Sequence, residues 1–228
     1  MKNHATMIPL RRRGVLLVAV ALCVAPGALA SDEGDFEYWA KANLLIPIDE
    51  TWEFRFSEKL TFGDDGGRLD DHQTDFCFNY SGLADWLSLG FGYKQQFEKE
   101  GDGWQVENRP LLNIVVKGKP FGLTMIDRSR FEYRDIEDEE TVWRYRNKVL
   151  LTLGSLRKTK KILPYVADEI FVSFDEENFN QQRLYGGFFI PLHEKLRLEL
   201  FYFWNLDEQE VNSWHDTNVL GSYLYFLF

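Results

Sequence analysis

The chain has 228 residues, of which 45% are hydrophobic and 16% aromatic, and its formal net charge is −10. So acidic a chain offers no net-positive surface that could release phosphate counterions, which argues against a nucleic-acid partner. Its two cysteines are Cys23 and Cys77. Cys23 falls in a segment that we expect to be removed, so no intramolecular disulfide can form and the fold must depend on burial and hydrogen bonding.

Residues 1–30 have the features of a secretory signal peptide. Arg11, Arg12 and Arg13 precede an apolar run from Val15 to Val24, and the small-residue site Ala28-Leu29-Ala30 follows. The run has ten residues, well short of the roughly 20 that a spanning helix needs. We therefore predict Sec-dependent export, cleavage after Ala30 and a single mature domain at 31–228.

Two alternatives for this segment stay open, namely a membrane-anchoring helix and lipidation at Cys23. Leu22 precedes Cys23 where a small residue would be expected, which disfavours lipidation. Cleavage would remove four of the 26 Lys and Arg residues and none of the 36 Asp and Glu residues, so the mature chain would be more acidic still.

Beyond Ala30 the sequence alternates between apolar and polar residues with a period of two, which is typical of β-strands. In 52–62, the residues Trp52, Phe54, Phe56 and Phe62 share one face, and charged or polar residues share the other. Similar runs lie at 36–46, 70–80, 86–97, 104–117, 121–134, 141–153, 162–174, 179–190, 195–205 and 217–228. Most reach the 9–11 residues that a tilted strand needs to cross a bilayer, whereas soluble strands average about 5–6.

The connections between these runs alternate between two kinds. One set is longer and acidic, at 63–71, 98–103, 135–140, 175–180 and 206–216. The other is short or basic, at 47–50, 81–85, 117–120, 154–161 and 191–195. Long loops on one side and short turns on the other are typical of an outer-membrane barrel, with the acidic loops extracellular.

The last run ends with Leu220, Leu224, Phe226 and Phe228 on one face. A terminal phenylalanine after an alternating strand resembles the C-terminal signal of outer-membrane barrels, with Phe226 and Phe228 as the assembly signal. That resemblance implies the barrel assembly machinery, periplasmic chaperones and outer-membrane lipid as partners. The alternative is an ordinary closing strand of a soluble sheet.

These patterns predict an all-β, transmembrane, antiparallel up-and-down barrel in the outer membrane of a Gram-negative bacterium. Eleven runs can be drawn, whereas single-chain bacterial barrels have an even number of strands. We favour twelve strands, with ten possible if the segment 31–46 is not a wall strand. That segment could instead enter the interior as a plug.

If the apolar faces meet lipid, the opposite faces form an interior rich in charge. The predicted interior ion-pair network comprises Arg109, Arg128, Arg130, Glu132, Arg134, Arg144, Arg146, Lys148, Glu169 and Arg183. Asp127, Asn108 and Pro110 fall on the apolar side, where a charge is unfavourable in lipid. A β-bulge near Asp127 or Pro110 would re-aim these side chains.

Four functional interpretations remain open. The interior charges could form a salt-bridged filling, or they could line a narrow, porin-like, anion-preferring channel for small anionic solutes. A small outer-membrane enzyme is a third alternative, although His72, His193 and His215 have no obvious serine partner. A soluble periplasmic binding protein is the fourth. No metal-ligand spacing is present, so we predict no metal. We also predict no catalytic residue and no cofactor.

Several segments resemble the domain of unknown function 2490 family. They are 107–110 (ENRP), 130–134 (RFEYR), 144–147 (RYRN), 164–165 (PY) with 168–171 (DEIF), 178–183 (NFNQQR), and Tyr202 with Trp204. The resemblance covers nearly all of the mature chain. It implies an uncharacterised outer-membrane β-barrel, which we expect to be monomeric, and it implies no reaction.

Overall fold

The computed structural model describes residues 35–152, 162–174, 178–210 and 213–228. These residues form eleven β-strands and one 3-10 turn, at Pro120–Gly122. The strands are β1 (Asp35–Pro47), β2 (Trp52–Gly63), β3 (Arg68–Ala84), β4 (Leu87–Glu100), β5 (Gly103–Gly118), β6 (Thr124–Ile136), β7 (Val142–Thr152), β8 (Leu163–Ser173), β9 (Asn178–His193), β10 (Leu196–Glu210) and β11 (Ser213–Leu227). In the described part of the chain, no helix is long and apolar enough to cross a bilayer. The predicted signal peptide, 1–30, lies outside the described residues.

The strands close into one barrel in which each strand lies beside its neighbours in sequence. Every consecutive pair is antiparallel, whereas β1 and β11 pair in parallel, from Asp35 beside Thr217 to Leu45 beside Leu227. The predicted all-β up-and-down barrel is confirmed.

The described residues form eleven strands, not the twelve that we favoured or the ten that we allowed. An even number is required only when every pair, including the closing pair, is antiparallel. The parallel pairing of β1 with β11 removes that requirement. Segment 36–46 is therefore part of a wall strand and not an interior plug.

The two ends of the barrel differ in charge but not in the length of their described connections. The acidic end carries connections at 64–67, 101–102 and 137–141, and the opposite end carries connections at 48–51, 85–86, 119–123 and 194–195. The predicted difference in the length of the connections is wrong because strand pairing continues into the acidic segments. β2 extends to Gly63, for example, and β10 extends to Glu210.

At the opposite end, Asp49 organises the turn between β1 and β2. Its Oδ1 accepts hydrogen bonds from the backbone N–H groups of Thr51 and Trp52, at 2.7 and 2.8 Å, and from the Thr51 hydroxyl at 2.9 Å. These donors stabilise the carboxylate and hold the pKa of Asp49 below its ordinary value.

Burial along the strands follows the period of two: large apolar side chains cover the outer wall, and charged side chains are buried inside beside β5, β6 and β7. Phe78, Phe91 and Phe188 are exposed on the outer wall, whereas Glu132 and Arg109 are buried within. Such a distribution is the inverse of a soluble protein. An apolar outer wall is what a lipid environment selects.

Asp127, Asn108 and Pro110 remain on the outer wall. The pairing of β5 with β6 and of β6 with β7 proceeds without a register shift, so the predicted bulge near Asp127 or Pro110 is wrong. Hydrogen bonding accommodates the polar groups instead. Asn147 donates to Asp127 at 2.6 Å, and Tyr93 donates to Asn108 at 2.5 Å.

An aromatic cluster occupies the interior beside β8, β9, β10 and β11. Its buried members are Leu163, Tyr165, Ala167, Tyr185, Phe189, Phe201, Phe203 and Val219. Gly187 and Gly221 make room for Phe201, because a Cβ atom at Gly221 would lie 2.0 Å from its ring. Half of the interior is thus packed like the core of a soluble domain.

Candidate functional site in the barrel interior

Glu132, on β6, is the centre of the charged half of the interior. Arg144 donates to its carboxylate through Nε and Nη2, at 2.9 and 2.8 Å, and Arg146 donates through Nη1 at 3.1 Å. Arg130 approaches at 3.4 Å and Arg109 at 3.9 Å. Four guanidinium groups from three adjacent strands therefore surround one carboxylate that is 0% exposed.

A second carboxylate, that of Glu107 on β5, lies toward the acidic end. Arg134 makes two contacts with it, at 2.7 Å from Nε and 3.0 Å from Nη2. Arg109 donates to it from Nε at 2.7 Å and also contacts it through Nη2. Arg109 thereby links Glu107 to Glu132. Paired guanidinium–carboxylate contacts of this kind are the strongest that side chains form.

Glu169, on β8, extends the network to the other side. Arg146 and Arg128 each donate to its Oε1 at 2.8 Å, and the Tyr185 hydroxyl donates to its Oε2 at 2.8 Å. Arg146 bridges Glu132 and Glu169. We call the nine connected residues the arginine network: Glu107, Arg109, Arg128, Arg130, Glu132, Arg134, Arg144, Arg146 and Glu169.

The other two predicted interior residues, Lys148 and Arg183, lie against aromatic rings. Lys148 Nζ is 3.4 Å from the centroid of the Tyr185 ring. Arg183 stands over Trp39, Phe171 and Phe203, at 5.0, 4.8 and 5.3 Å. Arg183 belongs to β9 and Trp39 to β1, which β10 and β11 separate in the wall, so this contact links non-adjacent strands beside the aromatic cluster.

The predicted set omitted several interior charges that the structure places beside the network. Lys41 contacts Asp75 at 3.5 Å, and Lys59 contacts Asp71 at 3.7 Å. Glu199, which alternation already predicts on the inward face, accepts from Tyr165 and Tyr225 at 2.5 Å each. The period of two was the signal that could have found Lys41, Lys59, Asp71 and Asp75, since each alternates with outward residues.

Cations outnumber carboxylates in this part of the interior. Nine cationic side chains share six carboxylates through the interior ion pairs: Lys41, Arg55, Lys59, Arg109, Arg128, Arg130, Arg134, Arg144 and Arg146 with Glu53, Asp71, Asp75, Glu107, Glu132 and Glu169. The chain as a whole is acidic, so the excess negative charge lies elsewhere, much of it in the connections of the acidic end. The charged interior is therefore suited to anions and not to metal ions.

The remaining polar groups are dispersed. Among the described residues, no three His, Cys, Asp or Glu side chains are grouped so as to hold a metal ion. On the outer wall, His72 contacts Glu58 at 2.9 Å. Phe226 pairs with Leu196 near the opposite end, and the exposed Phe228 follows β11, its backbone N–H donating to Leu45 at 3.1 Å.

Fold and site together define a closed β-barrel with an apolar outer wall and a charged interior. The chain belongs to the family described as protein of unknown function (DUF2490), whose sequence profile matches residues 36–216. The family resemblance found in the sequence is thus confirmed.

No curated protein matches the chain. Among solved structures, LpxR from Salmonella typhimurium is similar, with a TM-score of 0.49 and 8% sequence identity over 82% of this chain and 87% of that chain.

Proposed function

We propose that this protein is an exported outer-membrane β-barrel, with 1–30 as its signal peptide and 31–228 as its barrel domain, whose interior is closed by its own side chains. The observation that carries the proposal is the position of Glu132. Its carboxylate is 0% exposed and is surrounded by arginines from β5, β6 and β7. A carboxylate lining a water-filled pore would be solvated, and Glu132 is not.

Contacts between side chains of non-adjacent strands support a closed barrel over the narrow channel that the arginine content first suggests. Arg183 reaches from β9 to Trp39 on β1, and Trp39 packs on Phe203 of β10 with ring centroids 4.9 Å apart. Glu169, on β8, is likewise only 1% exposed. Small barrels of about eight strands are filled by side chains, whereas 16-stranded porins hold water. At eleven strands, the size of the inward side chains therefore decides whether the interior is filled or open.

The arginine network also has a structural role in this proposal. A buried charge is tolerated only when it is paired and hydrogen-bonded, so each network glutamate requires its arginines at one particular register. A shift of one residue between β6 and β7 would turn Arg144 and Arg146 toward the lipid. The network therefore selects the correct pairing of these strands during assembly.

The outer wall and the C-terminus agree with a location in the outer membrane. Strands of 11 to 17 residues exceed the length that a bilayer requires. Phe226 lies on the outer wall of the last strand, where the barrel assembly machinery could reach it together with Phe228. In this proposal the partners are lipid, that machinery and periplasmic chaperones, and the barrel acts as a monomer without a catalytic residue.

Conductance in a planar lipid bilayer tests the proposal directly. The purified, folded protein, identified by its heat-dependent gel mobility, should give no current steps above those of empty detergent. Steps with a preference for anions would overturn the closed barrel and establish the channel for small anionic solutes. Recovery of the protein free in the periplasm would overturn the outer-membrane location.

A further inference from the structure

Four cations converge at the interior surface between the arginine network and the opposite end of the barrel. Lys41 on β1 makes its ion pair with Asp75. Arg130 donates to Asn113 at 2.8 Å, and Asn113 donates to Cys77, which pairs with Arg55 on the adjacent strand. Arg55 lies on β2, whereas Arg128 and Arg130 lie on β6. We call these four cations and Asp75 the cationic pocket.

Solvent reaches the cationic pocket, although it does not reach the centre of the network. The exposed fraction of the side chain is 40% for Arg55, 28% for Arg128 and 20% for Lys41. Arg55 pairs with Leu45, close to the turn at 48–51, so the accessible side faces the opposite end. Three of the four cations therefore keep exposed surface with which an anion can pair.

Donors in this region lack acceptors. Nε of Arg55, Nε of Arg128 and Oγ of Ser57 are buried atoms without a hydrogen-bond partner. Ser57 lies two residues from Arg55 on the same inward face and is 1% exposed. Buried donors are almost always satisfied in native proteins, so unsatisfied donors beside excess positive charge indicate a missing acceptor with negative charge.

Neighbouring carboxylates do not balance the pocket. Arg55 contacts Glu53 at 3.4 Å, Arg128 shares Glu169 with Arg146, and Arg130 shares Glu132 with three further arginines. The only acid within the pocket is Asp75, which is bound to Lys41. A second anion would therefore be attracted to the pocket.

We propose that the cationic pocket binds a phosphate group, carried by inorganic phosphate or by a small phosphomonoester. The donors come from β1, β2 and β6 and so approach from separate directions, which suits the tetrahedral oxygens of phosphate better than a planar carboxylate. Arginine offers a planar fork to such oxygens, and lysine offers a point charge. This inference goes beyond the closed barrel and does not depend on the protein's location.

Isothermal titration calorimetry on the folded full-length barrel in detergent tests the inference, with inorganic phosphate, glycerol 3-phosphate and acetate as separate probes. We expect saturable binding of phosphate that weakens as salt is added, and little binding of acetate. Arg55→Gln removes a charged donor that makes one ion pair, so it should weaken phosphate binding by about tenfold or more. Ser57→Ala should weaken it less.

Arg68→Gln is the matched control, because Arg68 is an exposed arginine at the acidic end that pairs with Asp70. It should leave phosphate binding unchanged. Heat-dependent gel mobility establishes that each variant is folded. Tighter binding of glycerol 3-phosphate than of inorganic phosphate would identify a phosphomonoester as the source, and the reverse order would identify free phosphate.

The inference is overturned if the wild-type protein shows no saturable phosphate binding, or if folded Arg55→Gln and Ser57→Ala variants bind as tightly as the wild type. Stronger binding of acetate than of phosphate would also overturn it. A failure of the phosphate-binding test does not affect the interpretation of the conductance measurement. Conversely, a conducting barrel that still binds phosphate would overturn only the closed-barrel proposal.

Discussion

Glu132 and Arg146 face each other from adjacent strands, with 3.1 Å between Oε1 and Nη1. Arg146 also reaches Glu169 on β8 at 2.8 Å, so one guanidinium joins two carboxylates that are almost completely enclosed. Neither carboxylate has access to water that could replace a lost partner. The stability of the barrel should therefore depend strongly on these glutamates.

Replacing Glu132 with Gln should lower the free energy of unfolding by about 3–5 kcal/mol, because the amide keeps the volume but leaves four buried arginines without their shared charge. Urea unfolding in lipid vesicles, followed by tryptophan fluorescence, measures this loss. Glu53→Gln is the control, since Glu53 makes one partly exposed ion pair, with Arg55, and its glutamine replacement can still accept from Asn79, so stability should change by about 1 kcal/mol or less. Equal losses in the two variants would contradict a structural role for the network.

Removing the contact between Trp39 and Arg183 should open the interior. In the double variant Trp39→Ala with Arg183→Ser, the space beneath Phe203 loses two large side chains. Because the remaining cations outnumber the acids, the current measured in a planar bilayer should prefer anions. Trp204→Ala removes a tryptophan of the outer wall instead and should give no current. A folded double variant that does not conduct would show that other side chains close the barrel.

On the outer wall, Asn147 and Asp127 should have unequal effects. Asn147→Leu leaves the Asp127 carboxylate without its 2.6 Å donor and should lower stability by about 1–3 kcal/mol. Asp127→Leu removes the charge itself from a lipid-facing position and should be neutral or stabilising. Urea unfolding of both variants and of the double variant gives the comparison. A larger loss for Asp127→Leu than for Asn147→Leu would mean that Asp127 has another partner.

Two consecutive glycines on β9 offer a test of interior packing. A Cβ at Gly187 would lie 2.7 Å from the Leu200 carbonyl oxygen and 2.8 Å from Phe201 Cβ, whereas a Cβ at Gly186 would meet nothing within 4 Å. Gly187→Ala should therefore lower the unfolding free energy by about 1–3 kcal/mol. Gly186→Ala should change it by about 0.5 kcal/mol or less. If Gly186→Ala were more destabilising than Gly187→Ala, the aromatic cluster would lie on the outer wall. That result would contradict the assignment of inward and outward faces.

Local alternation in the sequence predicts the class of fold and the inward face of Arg109, Arg130, Glu132 and Arg146. Each of the eleven alternating runs overlaps one strand of the barrel. Both results depend on local properties, because a period of two fixes the face of every residue once one residue is placed. Segment length then separated long barrel strands from the shorter strands of soluble sheets.

The closure of the barrel and the pairing of its charges depend on tertiary contacts. The parallel pairing of β1 with β11 joins Leu45 to Leu227, positions nearly the whole chain apart, and no local pattern records that register. Lys41 contacts Asp75 because β2 lies between β1 and β3 in the wall and holds their inward faces side by side. The ion pairs, the filled interior and the cationic pocket all follow from contacts between strands, whose register and closure local alternation does not specify.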